Sequence, residues 1–96
     1  MSVVNLGEIA YILERERGLS NAQKALSKVN ELPIEVIIVD KMLALEAAHI
    51  KAKYPIAYAD CFVISLSLFK NAVIVTGDPE FRKVTSEYNL QVEWLT

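Results

Sequence analysis

At 96 residues the chain has the length of one small domain, and 53% of it is apolar. Its net charge of −2 excludes a bulk electrostatic hold on nucleic acid, although a local basic patch around an acidic centre stays open. A lone cysteine, Cys61, excludes an internal disulfide, no leader-like start is evident, and no apolar run nears the roughly 18 residues of a membrane span. A cytoplasmic location with no membrane partner is therefore expected.

Leu6, Ile9, Ala10 and Leu13 recur at i, i+3, i+4 and i+7 and predict an amphipathic helix over residues 6–17. Asn5 is its expected N-cap and Gly18 its C′ residue. A second helix is expected over 20–30, with Ala22, Ala25, Leu26 and Val29 facing inward. Pro33 ends that region, and 35–39 reads as a strand whose β-branched run suggests burial on both faces. Asp40 then caps a third helix to residue 53, with Leu43, Ala47 and Ile50 at helical spacing.

Beyond Pro55 the pattern is ambiguous. Ile64-Ser-Leu-Ser-Leu68 alternates as a strand does, yet the surrounding apolar stretch is too long for one and lacks turn residues. Residues 59–70 are therefore read as a helix buried nearly all round. A strand over 72–75, a short helix near 80–87 and a last strand over 92–95 follow, with no repeats or linkers. Alternating helices and apolar strands predict a single α/β domain over 1–96, a parallel-sheet α/β sandwich.

The strand tip in Val73-Ile-Val-Thr-Gly-Asp-Pro-Glu-Phe81 lies where parallel α/β proteins place their chemistry. It offers the Thr76 hydroxyl, a flexible Gly77 and the Asp78 carboxylate. Asp78 as N-cap with Pro79 at N1 is the structural alternative. Asp60 has the same alternative at the start of the buried helix. Glu8, in Asn5-Leu-Gly-Glu8, looks like the third position of a capping box. Asp40 is read as a cap and nothing more.

Taken jointly, Glu8, Asp60 and Asp78 come from separate segments and suit a hard divalent cation such as Mg²⁺, which needs few protein carboxylates. Such ions orient a phosphodiester, lower the pKa of an attacking water and stabilise the leaving oxygen. Competing chemistries lack their residues. The only histidine, His49, sits mid-helix beside Ala47, Ala48 and Ile50, so no Ser/His/Asp set is credible. Cys61 has no evident base partner and reads as core. Neither a Gly-rich phosphate loop nor zinc-ligand spacing occurs.

Ser2-Val-Val-Asn-Leu-Gly-Glu8, Ala59-Asp-Cys61 and Val75-Thr-Gly-Asp-Pro-Glu-Phe81 resemble, in order and across almost the whole chain, the successive motifs of PIN domains. The nearest type is the VapC-like ribonuclease toxin of toxin–antitoxin pairs. Thr-Gly-Asp-x-x-Phe is the most specific element. The resemblance implies a three-layer α/β/α fold and makes Glu8, Asp60 and Asp78 catalytic, metal-binding carboxylates for Mg²⁺ or Mn²⁺. It also implies that Thr76 supplies a hydroxyl to the site and that Asn5 shapes its edge. The implied partners are an RNA substrate and an antitoxin protein.

By the same resemblance Met1-Ser-Val-Val corresponds to the end of the family's second strand. The first strand with its Asp, and the helices after it, are then expected to be missing, an N-terminally truncated domain. Pairing between chains, as a homodimer or higher oligomer, is one way to cover the gap. A catalytically incomplete remnant acting as a protein-binding or self-associating module is the alternative function. Arg82 and Lys83 either contact RNA phosphates or form a solvated helical face. Tyr54, Tyr58 and Trp94 either stack on bases or pack. The apolar face of the first two helices is either core or a groove for an antitoxin helix.

Overall fold

A computed structural model describes residues 1–95, in two units: Met1–Ile38 and a second that begins at Val39. In the first, α1 (Val3–Arg17) and α2 (Leu19–Asn30) form a helical hairpin. Gly18 makes the turn at φ +83°, a conformation that disfavours side chains, and its N–H closes α1 on the Glu14 carbonyl at 2.8 Å. Ala22 is buried, and Leu6, Ile9, Ala10, Leu13, Ala25, Leu26 and Val29 are half-buried, matching the predicted inner faces. A cavity of about 340 Å³ remains beside Val3, Leu6, Ala10 and Leu26.

The start of α1 departs from expectation. Ser2, not Asn5, is the N-cap: its Oγ accepts the Asn5 N–H at 3.2 Å and donates to Asn5 Oδ1 at 2.5 Å. Asn5 thus takes the N3 position of the cap, and Glu8, expected there, lies a turn further along α1. Pairing of Met1 and Ser2 with residues 35–37 fixes where the helix begins, and a Ser at that place can satisfy a first-turn amide.

The strand expected over 35–39 is reduced to an isolated parallel bridge, Ser2 with Ile37. Ile37 donates to the Met1 carbonyl at 2.8 Å and accepts from Val3 at 2.9 Å, while the terminal ammonium donates to the Glu35 carbonyl. Met1 and Ser2 therefore pair as the end of a strand, but Val3 and Val4 are already helical. Burial on both faces is not found: Ile34, Val36 and Ile38 are exposed, Ile38 by 80%. Two residues of pairing cannot cover both faces of a five-residue β-branched run.

In the second unit Asp40 caps α3 (Lys41–Lys53), accepting the Leu43 N–H at 2.9 Å. Leu43, Ala47 and Ile50 form its buried stripe against α4 (Tyr58–Lys70). Full burial of a side chain such as Ile50 contributes about 1.5–3 kcal/mol. From Cys61 to Leu68 no residue of α4 is exposed, in agreement with the all-round apolar pattern. Its serines are satisfied: Ser65 donates to the Leu43 carbonyl at 3.1 Å and Ser67 to the Ala72 carbonyl at 2.6 Å. Asn71, in the left-handed region at φ +53°, ends the helix.

The chain then forms β1 (Ile74–Thr76), α5 (Phe81–Glu87) and β2 (Val92–Trp94). The strands pair in parallel, with Ile74 opposite Val92 and Thr76 opposite Trp94. This is a small βαβ crossover, pinned by the buried Ile74, Phe81 and Val84. Among the described residues the named strands make a two-stranded sheet. Five helices and a parallel pair confirm the α/β class.

Candidate active site

β1 delivers the chain to an acidic turn. Thr76 Oγ1 accepts the Asp78 N–H at 3.1 Å, Asp78 Oδ1 accepts the Glu80 N–H at 2.9 Å, and the Asp78 carbonyl accepts the Phe81 N–H at 3.2 Å. These bonds fold 76–81 into consecutive Ser/Thr- and Asx-type turns, a habit of short polar side chains before a helix. Gly77 allows a close approach. A Cβ there would lie 3.1 Å from the Leu95 carbonyl oxygen, because β2 runs out beside it, with Leu95 N–H on the Thr76 carbonyl at 2.9 Å.

Both cap expectations at this edge need correction. Asp78 is not the N-cap of α5: Glu80 occupies that position, and it makes no side-chain cap hydrogen bond. The Asx turn uses Asp78 before the helix starts. Asp60 is not the N-cap of α4 either. Ala57 is, and Asp60 lies within the first turn, where the helix dipole favours a carboxylate.

The fold brings Asp60 and Asp78 together. One carboxylate oxygen from each, with a third from Glu80, lies within 4.8 Å of the others. Asp60 is half-buried and Glu80 exposed. A carboxylate has about four lone-pair sites, so the single turn hydrogen bond to Asp78 leaves it acceptor capacity. Glu80 was missed in the sequence, where it fills a variable place in Thr-Gly-Asp-x-x-Phe. Its signal was the Asp-Pro-Glu spacing: two carboxylates flanking a proline in a tight turn can face the same side. Glu8 lies half-buried on α1 of the first unit, with Asn5 in the cap described above. The grouping of Asp60, Asp78 and Glu80 lies wholly within the second unit.

Around this corner the remaining polar groups have definite places. Cys61 is fully buried, and burial pushes its thiol pKa up, so it is a poor nucleophile. His49 is exposed. Tyr54 is buried and its hydroxyl donates to Glu87; that hydrogen bond, with desolvation, pushes its pKa up to about 12. Tyr58 leans on Phe62 with ring centroids 5.1 Å apart. Arg82 and Lys83 are exposed on α5, and the Arg82 guanidinium lies 4.5 Å above the Trp94 ring. No helix among the described residues is long and apolar enough to cross a membrane.

An acidic cluster beside a parallel strand tip, with a hydroxyl holding the turn, matches the motif order read from the sequence. Comparison with curated proteins and with solved structures gives no match. The family model for the PIN domain matches residues 1–87, including α1, Asp60 and the whole acidic turn. PIN domains are a nuclease family, typically dependent on divalent metal and generally RNA-binding. With about nine-tenths of its length matched, the chain belongs to the PIN domain family.

Proposed function

We propose that the protein is a VapC-type endoribonuclease, the toxin of a toxin–antitoxin pair, which hydrolyses RNA phosphodiesters with a carboxylate-bound Mg²⁺ or Mn²⁺. The observation that carries this reading is the convergence of Asp60 and Asp78, with Glu80, at the tip of β1. The donors are all oxygen, which suits hard cations. Two ligands of one Mg²⁺ lie at most roughly 4.2 Å apart, a span close to the 4.8 Å that bounds these carboxylate oxygens. When bound, the ion would supply a lowered water pKa and neutralise charge developing on the phosphate.

The chain's own part is to hold that arrangement. Asp60 presents its carboxylate from a helix whose next two residues, Cys61 and Phe62, are core. Thr76 fixes the Asp78 turn through its hydroxyl oxygen. Glu8 and Asn5 keep the catalytic and edge-shaping roles that the family motif gives them, and the whole of 1–96 works as one three-layer domain in the cytoplasm, with an antitoxin and a second copy as partners. The test is cleavage of RNA with added Mn²⁺. Cleavage should be lost in Asp78→Asn and Asp60→Asn and reduced in Glu8→Gln. A folded sample that leaves RNA intact across a Mn²⁺ titration overturns the reading.

Exposed apolar side chains favour a second reading, a catalytically incomplete PIN-type module that binds protein. Met42 and Leu45 on α3 and Val75 on β1 are each at least 60% exposed, a setting in which contacts between chains are common. Sedimentation of a strictly monomeric species, with RNA cleavage present, excludes this second reading.

A further inference from the structure

The chain carries one cleft whose chemistry is opposite in sign to the acidic corner. It lies between α5 and β2 and is lined in part by Arg82, Lys83, Ser86, Asn89 and Trp94. No carboxylate lines it, although the chain as a whole is net −2. Strand alternation explains this locally: Val92 and Trp94 share one face of β2 and Glu93 takes the other. The lining therefore combines two cations, polar side chains and an indole with the apolar Leu90 and Val92, and cations with an aromatic platform are what hold single-stranded nucleic acid.

Arg82 is held as well as present. Its guanidinium stacks 4.5 Å over the Trp94 ring, well inside cation–π range. An exposed arginine ordinarily loses much rotamer freedom when it binds, and a stacked one has already lost part of it. The cleft also adjoins the acidic corner. Trp94 pairs in register with Thr76, whose hydroxyl holds the Asp78 turn, and Arg82 follows Glu80 by two residues. Trp94 and β2 fall beyond the residues matched to the family, so the family assignment gives them no role.

We propose that this cleft holds the phosphate backbone of single-stranded RNA beside the acidic corner. Arg82 and Lys83 contact phosphate oxygens, and Trp94 is a positioning residue, the platform that aims Arg82. The inference rests on the ribonuclease reading and deepens it by assigning the substrate's path.

The test is binding of a short labelled oligouridylate in metal-free buffer, by anisotropy across a salt series, with the fluorescence of Trp94, the only tryptophan, recorded in parallel. The native protein should bind, with its fluorescence changing on saturation. Arg82→Gln and Lys83→Gln should each bind about tenfold more weakly, and the salt slope should fall by about 0.7 for each phosphate no longer neutralised. Trp94→Leu should weaken binding while leaving the slope unchanged, because the charges remain. Should Trp94→Leu fail to fold, the other two variants carry the test, since both alter exposed side chains.

Binding with native affinity and slope in both Arg82→Gln and Lys83→Gln overturns the proposal and leaves the ribonuclease reading intact. Absence of RNA binding by the native protein overturns it too. The Mn²⁺ cleavage assay with Asp78→Asn then decides separately on the nuclease.

Discussion

Glu80→Gln isolates the electrostatics of the acidic corner, because it removes one charge while keeping the shape and leaving Asp60 and Asp78 in place. The carboxylate oxygens of the three residues lie within 4.8 Å of one another. At that separation two unit charges repel by about 0.9 kcal/mol in water, and Glu80 has two such neighbours. Screening at physiological salt removes roughly half of this. Because 4.8 Å is the outer limit of these separations and Glu80 is exposed, the metal-free variant should be more stable than the native protein by at most about 1 kcal/mol, or up to about 4–8 °C in melting temperature for a chain of this size.

With Mn²⁺ the order should change. A cation at a hundred times its Kd stabilises the native protein by about 2.7 kcal/mol, and the variant, short of one ligand, should gain less. Melting followed by circular dichroism, with chelator and then with Mn²⁺, measures both. A variant no more stable than native without metal, yet equally stabilised by Mn²⁺, refutes the claim that these carboxylates share a site.

Two further outcomes follow from the fold. Gly77→Ala places a Cβ 3.1 Å from the Leu95 carbonyl oxygen, so Leu95 must give way by a few tenths of an ångström and its amide should exchange faster; unchanged exchange at Leu95 would contradict the close approach. Tyr54 should ionise near pH 12 by ultraviolet titration, because its hydroxyl donates to Glu87. A folded pKa above the ordinary 10.0 favours the neutral phenol in the fold, so its contribution is full below pH 10 and lost as pH rises through about 12. Tyr54→Phe should flatten that alkaline loss, and identical alkaline profiles would remove the hydrogen bond from the account.

What the sequence made legible was whatever local chemistry decides. Asp40, followed by apolar residues at helical spacing, became the cap it was read as. Gly18 separates two helices because few other residues tolerate its φ. The caps at Asn5, Asp60 and Asp78 misled because a favourable cap residue does not by itself fix where a helix begins: α4 starts after Ala57 and α5 after Glu80, neither with a side-chain cap hydrogen bond. Ser2 won over Asn5 because Met1 and Ser2 pair with 35–37 and so fix where α1 begins. The β-branched run within 35–39 announced a strand, but a strand's burial depends on neighbours far away in sequence, which propensity does not specify. Glu80 stayed unread because its place in the cluster depends on two distant segments meeting, the turn at 78–80 and the first turn of α4.

The acidic corner also has a rigid underside. Asp60 is followed by Cys61, fully buried, and Glu80 by Phe81, 4% exposed. Two of the three carboxylates are thus one residue away from immobile side chains, and Asp78 is tied to Glu80 through the turn amide. Backbone freedom at the corner is already spent in folding, so capture of an ion draws mainly on side-chain torsions. On the proposed metal reading, affinity for the ion is then tied to the packing beneath it: whatever loosens Phe81 or Cys61 blurs the position of the carboxylates while every candidate ligand is still present.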